Sequence, residues 1–283
     1  MPQEKIEQQP PRVFGQLKSW LQQHYLTLPK RLQSVAIYAL HYPDMIALNT
    51  IAVISEQVEV TPSTIIRFAK SLGYQGFSDM QTVFQQSMRH IPQPYAERIH
   101  DLDEQLPHQT TAMQCFAVAA TSSIDKLKQI NDQSLLQASR RLAEAYTVYI
   151  AGQGRAAPLS SYLHYMLIKM GMQAVILEGI PALIADKARL IGRHRDEVLL
   201  AISFSPYAAN TRDLVDICTS RQVPVVSITD SSLSPIARQD VLYFDVLEDE
   251  VAGFRGLSAT MCLAQCLAVE AGKYRSKIDN VLR

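Results

Sequence analysis

The chain has little net charge, few cysteines and no long apolar run. Lys and Arg number 27 against 27 Asp and Glu, so the net charge is zero. That balance excludes a nonspecific nucleic-acid coat protein, which needs a strong positive field. The longest apolar runs, such as Val198–Ile202, are far too short to cross a bilayer. The first ten residues lack the apolar core of a secretory signal, so the cytoplasm is the expected location and no membrane partner is expected. Four cysteines (Cys115, Cys218, Cys262 and Cys266) fall in no zinc-knuckle spacing. They read as small, reduced side chains, and neither a metal nor a cofactor is expected.

At 283 residues, with 47% apolar and 19% charged residues, the chain is an ordinary globular sequence long enough for about two domains. Charge is uneven along it. Residues 1–100 hold nine Lys/Arg against seven Asp/Glu, and residues 101–283 hold eighteen against twenty. The stretch from Thr61 to Ser78 contains Arg67 and Lys70 and no acidic residue. A weak local positive field of this kind suits a specific DNA binder that self-associates, as a homodimer or tetramer.

Periodicity divides the chain further. Val13, Phe14, Leu17, Trp20, Leu21 and Tyr25 recur at helical steps and predict a first amphipathic helix. Pro29 opens a second, with Leu32, Val35, Ala36, Ala39 and Leu40 as its apolar stripe, ending near Tyr42-Pro43. Asn49 or Thr50 caps a third helix. Thr61-Pro62 starts a fourth that Gly73 closes, and Ser78 caps a fifth running to about Met88. Residues 1–90 thus read as an all-α helix-turn-helix domain, and the proline-punctuated residues 91–112 as a linker. A helix from about Met113 to Ala145 leads into residues 113–283. There, five short apolar runs (147–151, 174–177, 198–203, 223–229 and 241–246) alternate with helical segments, predicting a parallel sheet flanked by helices on both faces. Residues 256–272 form a closing helix.

Two constellations carry chemistry. In the first, Thr61, Ser63 and Thr64 place short hydroxyl side chains at a helix start, where base edges come close. Arg67 lies one turn on and Lys70 one turn further, for guanine or phosphates. Thr50 and Gln75 complete the candidate DNA-binding set. Ile65, Ile66, Phe68 and Leu72 are expected in the core. In the second, a strand ends in Gly152-Gln153-Gly154-Arg155 before a helix, a turn whose backbone can approach an anion closely while Arg155 adds charge. A second strand meets Ser203, Ser205, Tyr207 and Thr211, which offer hydroxyls to a phosphate or sugar. Gly152-x-Gly154-x-x-Ala157 followed by Glu178 also matches a dinucleotide fingerprint, against which the second hydroxyl-bearing loop argues. His164 and Glu178 complete the ligand-binding set. An isomerase would need an acid–base pair, and Glu178, His164, His194 and Glu270 form no convincing one.

The series Thr61, Thr64, Arg67, Phe68, Lys70, Leu72, Gly73, Gly76 and Phe77 resembles the helix-turn-helix motif of the RpiR family of bacterial transcription regulators, over residues 12–88. Residues from about Ser123 to Glu270 resemble the SIS (sugar isomerase) domain, that family's effector module. The resemblance implies a DNA-binding regulator and not an enzyme: a repressor of carbohydrate-metabolism genes, bound to double-stranded operator DNA and controlled by a sugar phosphate held by the two loops. The alternative is a phosphosugar isomerase. The chain departs from the family pattern at Ala156, where the first loop carries a serine. It departs again at Ser205-Pro206-Tyr207, where the second loop reads Ser-Gly-x-Thr.

Overall fold

A computed structural model describes residues 10–89, 96, 98–100, 102, 111–179, 181–194 and 196–281. The chain divides into two compact units, Met1–Glu97 and Arg98–Arg283. The expected linker at 91–112 lies largely outside the described residues.

The first unit is helical throughout: α1 (Phe14–His24), α2 (Lys30–His41), α3 (Pro43–Leu48), α4 (Ile51–Gln57), α5 (Pro62–Ser71) and α6 (Phe77–Arg89). Leu32, Val35, Ala36, Ala39 and Leu40 of α2 are buried, as their three- and four-residue spacing requires. Pro43 does more than end α2. It takes the first turn of α3, a six-residue helix too short to show a period in sequence. Thr50 caps α4, its hydroxyl accepting from Val53 N. Between α4 and α5 the chain turns through Glu59, at φ +56°. Gly73 follows α5 at φ +90°, a conformation that favours glycine.

Two expectations for this unit are corrected. The last helix begins at Phe77, one residue before Ser78. Its first turn is served by Asp79, whose carboxylate accepts from Gln75 N at 3.0 Å and from Arg12 Nη1 at 2.7 Å. The Gln75 N–H, and then the Arg12 guanidinium, hold that carboxyl below its ordinary range. Ile66 was expected in the core but is 38% exposed. The buried stripe of α5 is Ile65, Phe68, Ala69 and Leu72, and Ile66 falls about 100° around the helix from Ile65.

The second unit begins with α7 (Ala112–Lys126) and α8 (Asp132–Glu144). One continuous helix was expected over 113–145. The chain instead breaks at Ile130, and Asn131 caps α8 by accepting from Gln133 N at 2.8 Å. Next come β1 (Thr147–Gly152), α9 (Ala157–Lys169), β2 (Ala174–Ile176), α10 (Pro181–Ala188), β3 (Glu197–Ser203), α11 (Ala209–Ser220), β4 (Val225–Thr229) and β5 (Leu242–Asp245). The short strands β6 (Glu250–Val251) and β7 (Phe254–Arg255) pair antiparallel. The closing helix α12 (Ser258–Val281) runs 24 residues, well past the expected end at 272.

The five main strands are parallel, in the order β2-β1-β3-β4-β5. Alternate residues of each strand serve opposite faces. Val148, Ile150, Val198, Leu200, Ile202, Val226 and Ile228 pack with α8, α9 and α12. Ala151, Leu199, Ala201 and Val225 pack with α10 and α11. A strand covered on both faces reads as a near-continuous apolar run, and all seven residues of β3 are buried, apolar from Val198 to Ile202 between Glu197 and Ser203. Chain direction across the sheet reverses at β1 and β3, so a crevice opens beyond their carboxyl ends. Among the described residues, no helix is long and apolar enough to cross a membrane.

Candidate functional site

The outer face of α5 carries Thr61, Ser63, Ile66, Arg67 and Lys70, all exposed. Thr61 precedes the helix in extended conformation, but its hydroxyl does not cap a backbone N–H. It bonds the hydroxyls of Ser63 and Thr64, each at 2.9 Å. Thr64 itself is buried, so it steadies Thr61 from beneath. Among the described residues, Arg67 and Lys70 enter no ion pair, which leaves both cations available to an external anion. Thr50 and Gln75 are exposed at the starts of α4 and α6. From α6, Gln81 donates through Nε2 to the carbonyls of Ile46 and Asn49, both at 2.9 Å, and so closes the end of α3. That contact, 32 and 35 residues away in sequence, had no local signal.

In the second unit, residues 153–156 after β1 and 203–206 with Ala208 after β3 line a cleft of about 340 Å³. It lies at the β1/β3 switch point, and the starts of α9 and α11 border it. Helix N-termini there favour negative charge. Gly152 is buried, and a Cβ on it would meet Ser160 Oγ at 2.4 Å and the Cβ atoms of Ala156 and Ile202 at 3.2 Å. Gly154 has φ +58°. The Arg155 guanidinium is half-buried, stacks 4.5 Å from the Phe204 ring centre and donates to Gly256 O at 3.0 Å. Burial, and next the like charge of Arg255, push its pKa down.

Gly152→Ala is therefore expected to cost about 1–3 kcal/mol by overpacking. Ser160→Ala in the same chain should recover part of that loss, because it removes the nearest clashing atom. Urea denaturation of the single and double variants checks this, and a loss under 0.5 kcal/mol for the single variant contradicts the packing (order of magnitude for a neutral substitution, about 0.5 kcal/mol).

The expected hydroxyl donors divide. Ser203 is buried, its Oγ accepting from Ala208 N at 3.1 Å. Ser205 lines the cleft, with its N donating to Asp230 Oδ2 and its carbonyl accepting from Arg255 Nη1, both at 3.0 Å. Tyr207 and Thr211 do not line the cleft. The Tyr207 hydroxyl sits beside Asp230, Ser231 and Ser234, and its pKa is driven far up by burial and next by Asp230. Thr211 is 1% exposed in the first turn of α11. His164 is half-buried on α9, eight residues and about 12 Å along the helix from Ala156. Glu178 is exposed beyond β2, on the far side of β1 from β3. Two residues that hold Ser205 beside the cleft, Asp230 and Arg255, were missed. Asp230 has a detectable signal, an acid directly after the apolar run of β4. Arg255 has none, because only the tertiary fold brings its hairpin to the second loop.

The two units are a helix-turn-helix domain and an α/β domain of SIS type. Residues 15–90 match the profile "Helix-turn-helix domain, rpiR family", and residues 141–270 match "SIS domain". The chain thus pairs a helix-turn-helix domain of the rpiR family with a SIS domain. It is 23% identical over 196 residues to the uncharacterized HTH-type transcriptional regulator YfhH of Escherichia coli strain K12, covering 65% of each. The Bifunctional protein glk of Burkholderia thailandensis is 27% identical over 210 residues, which are 72% of this chain and 31% of that protein. The chain thus spans under a third of the length of that curated relative. The NanR protein of Vibrio vulnificus, solved in complex with ManNAc-6P, superposes with a TM-score of 0.52 at 20% identity, covering 95% of this chain and 96% of its own. The sugar isomerase domain of an RpiR transcription factor from Sphaerobacter thermophilus gives 0.53 at 18% identity, over 60% and 99%. Both likenesses bear on the fold.

Proposed function

We propose that the chain is a sequence-specific DNA-binding repressor of carbohydrate-metabolism genes, controlled by a sugar phosphate in the β1/β3 cleft. The observation that carries this reading is Arg155. It is a half-buried cation in no ion pair among the described residues, placed where two helix N-termini meet. The carboxylates that favour its charge, Asp230, Glu248 and Glu250, all stand beyond ion-pair distance, so a half-buried guanidinium keeps part of its desolvation cost and an anionic ligand relieves it. The cleft volume suits a small metabolite, and the NanR complex with ManNAc-6P gives the class of ligand to try first. Binding without turnover is supported by the state of the carboxylate beside the lining: Asp230 is engaged by Ser205 N at 3.0 Å, and among the described residues no imidazole lines the cleft. Of the four candidates for isomerase chemistry, His164, Glu178, His194 and Glu270, none lines it.

In this reading Thr61, Ser63, Arg67 and Lys70 face operator DNA, with the buried Thr64 steadying Thr61 from beneath and Thr50 and Gln75 at the edge of the footprint. A homodimer or tetramer in the cytoplasm presents two such helices to two half-sites. The ligand acts by binding one arrangement of the two helices more tightly than another, since equal affinity would shift nothing. Arg67→Ala is expected to weaken operator binding by about 1–3 kcal/mol and to leave ligand-induced thermal stabilisation unchanged. Fluorescence anisotropy on an operator selected from genomic fragments tests it. Equal operator affinity for variant and parent removes Arg67 from the interface, and an operator affinity that no sugar phosphate alters removes the control mechanism.

A further inference from the structure

The β6–β7 hairpin brings a second guanidinium to the Ser205 loop, beside the cleft. Arg255 donates through Nη1 to Ser205 O at 3.0 Å and through Nε to Glu250 at 3.0 Å, with Asp230 at 4.0 Å. Its neighbour Gly256 accepts the Arg155 guanidinium. The two arginines are therefore joined through consecutive residues of one strand end, and each is tied to a different loop of the cleft. They differ in compensation. Arg155 has no carboxylate at ion-pair distance among the described residues, whereas Arg255 is held by Glu250, its hairpin partner.

Hydroxyls are scarce at this point. Ala156 stands at the start of α9, Ser203 is committed to Ala208 N, and Pro206 has no N–H to give. A phosphate monoester carries up to two negative charges and three acceptor oxygens, more than one guanidinium and one serine satisfy. Planar guanidinium forks match those oxygens in pairs.

We propose that Arg255 is the second cation of the anion cradle: a phosphate dianion bound beside Arg155 takes Arg255 in exchange for Glu250. This rests on the reading of the cleft as an anion site and deepens it in two ways. The ligand's phosphate is held by guanidinium groups from two separate elements, in place of a ring of hydroxyls. The hairpin changes partner on binding, from its own Glu250 to the ligand. Arg155 and Arg255 repel each other, and an anion held by both converts that repulsion into two attractions.

Thermal-unfolding titrations of the full chain with inorganic phosphate and with ManNAc-6P, against uncharged ManNAc, test this. Binding to the folded state raises the midpoint by mass action. Arg255→Gln is expected to weaken both phosphate probes by about tenfold or more. Glu250→Gln is expected to act in the opposite direction, tightening them about threefold, because it frees Arg255 from its internal partner. If Arg255 only braces the hairpin, both substitutions loosen the same contact, and Glu250→Gln weakens binding or leaves it unchanged. That result overturns the proposal. Unchanged affinity in Arg255→Gln, with the parent still stabilised, also overturns it and leaves the cleft an anion site served by Arg155. A parent that neither phosphate probe stabilises overturns the anion reading and this inference together.

Discussion

Phe68→Ala is expected to cost the helix-turn-helix unit about 3–5 kcal/mol, the range for deleting a fully buried aromatic ring. Phe68 is 0% exposed and among the largest fully buried side chains. It sits one residue from Arg67, so the ring that anchors α5 also fixes the direction in which the outer cation points. A small domain has about 5–15 kcal/mol in total, so the loss takes a large part of the folded population's margin. Phe68→Leu keeps more of the packed volume and is expected to lose less. Chemical denaturation followed by circular dichroism reads both, and operator affinity should fall with the unfolded fraction. A loss below about 1 kcal/mol for Phe68→Ala would show that the neighbouring helices collapse into the space, a response seen only where a site can relax.

The second large effect is on the ligand. Arg155→Ala is expected to weaken binding of a phosphate-bearing effector by about 2–5 kcal/mol, the scale for truncating one partner of a desolvated charge pair. Two contributions add here: loss of the counter-charge, and release of Gly256, whose carbonyl the guanidinium holds. Arg155→Lys separates them, since it keeps the charge but loses the planar fork and the stacking on Phe204. Calorimetric titration gives the affinities. Operator binding without ligand should match the parent, because Arg155 lies outside the DNA-reading unit. Parent-like ligand affinity in Arg155→Ala would place the anion elsewhere.

What could be read without coordinates follows from the range of the forces involved. The five strands stood out because burial on both faces forces continuous apolar runs, and β3 is buried along its whole length. The long helices of the first unit stood out because one buried stripe imposes a period. α3 did not, since six residues hold less than two turns. Ile66 was placed inside because it is apolar, although its angle on α5 takes it outward. The break before α8 hinges on a single capping residue, Asn131, inside a stretch with helical character on both sides.

The cleft shows the same division. Gly152, Gln153, Gly154 and Arg155 are consecutive, so their convergence is a local matter of one turn. Tyr207 and Asp230 meet across two loops, and Arg255 reaches Ser205 across 50 residues. Nothing in the local sequence states that Tyr207 turns toward Asp230, or that a hairpin near the C-terminus supplies a cation to the second loop. Composition names the residues able to bind an anion, and the tertiary fold selects which of them stand at the cleft.

The closing helix adds a mechanical property to this chemistry. α12 begins at Ser258, two residues after the carbonyl that Arg155 holds, and Thr260 in its first turn donates twice to Glu248. Its 24 residues make a rod about 36 Å long. A tilt of about 5° at the cleft end would carry the far end through about 3 Å over that length. α12 packs along α7, α8 and α9 as it goes, so a displacement at the cleft end would have to be shared by three neighbouring helices.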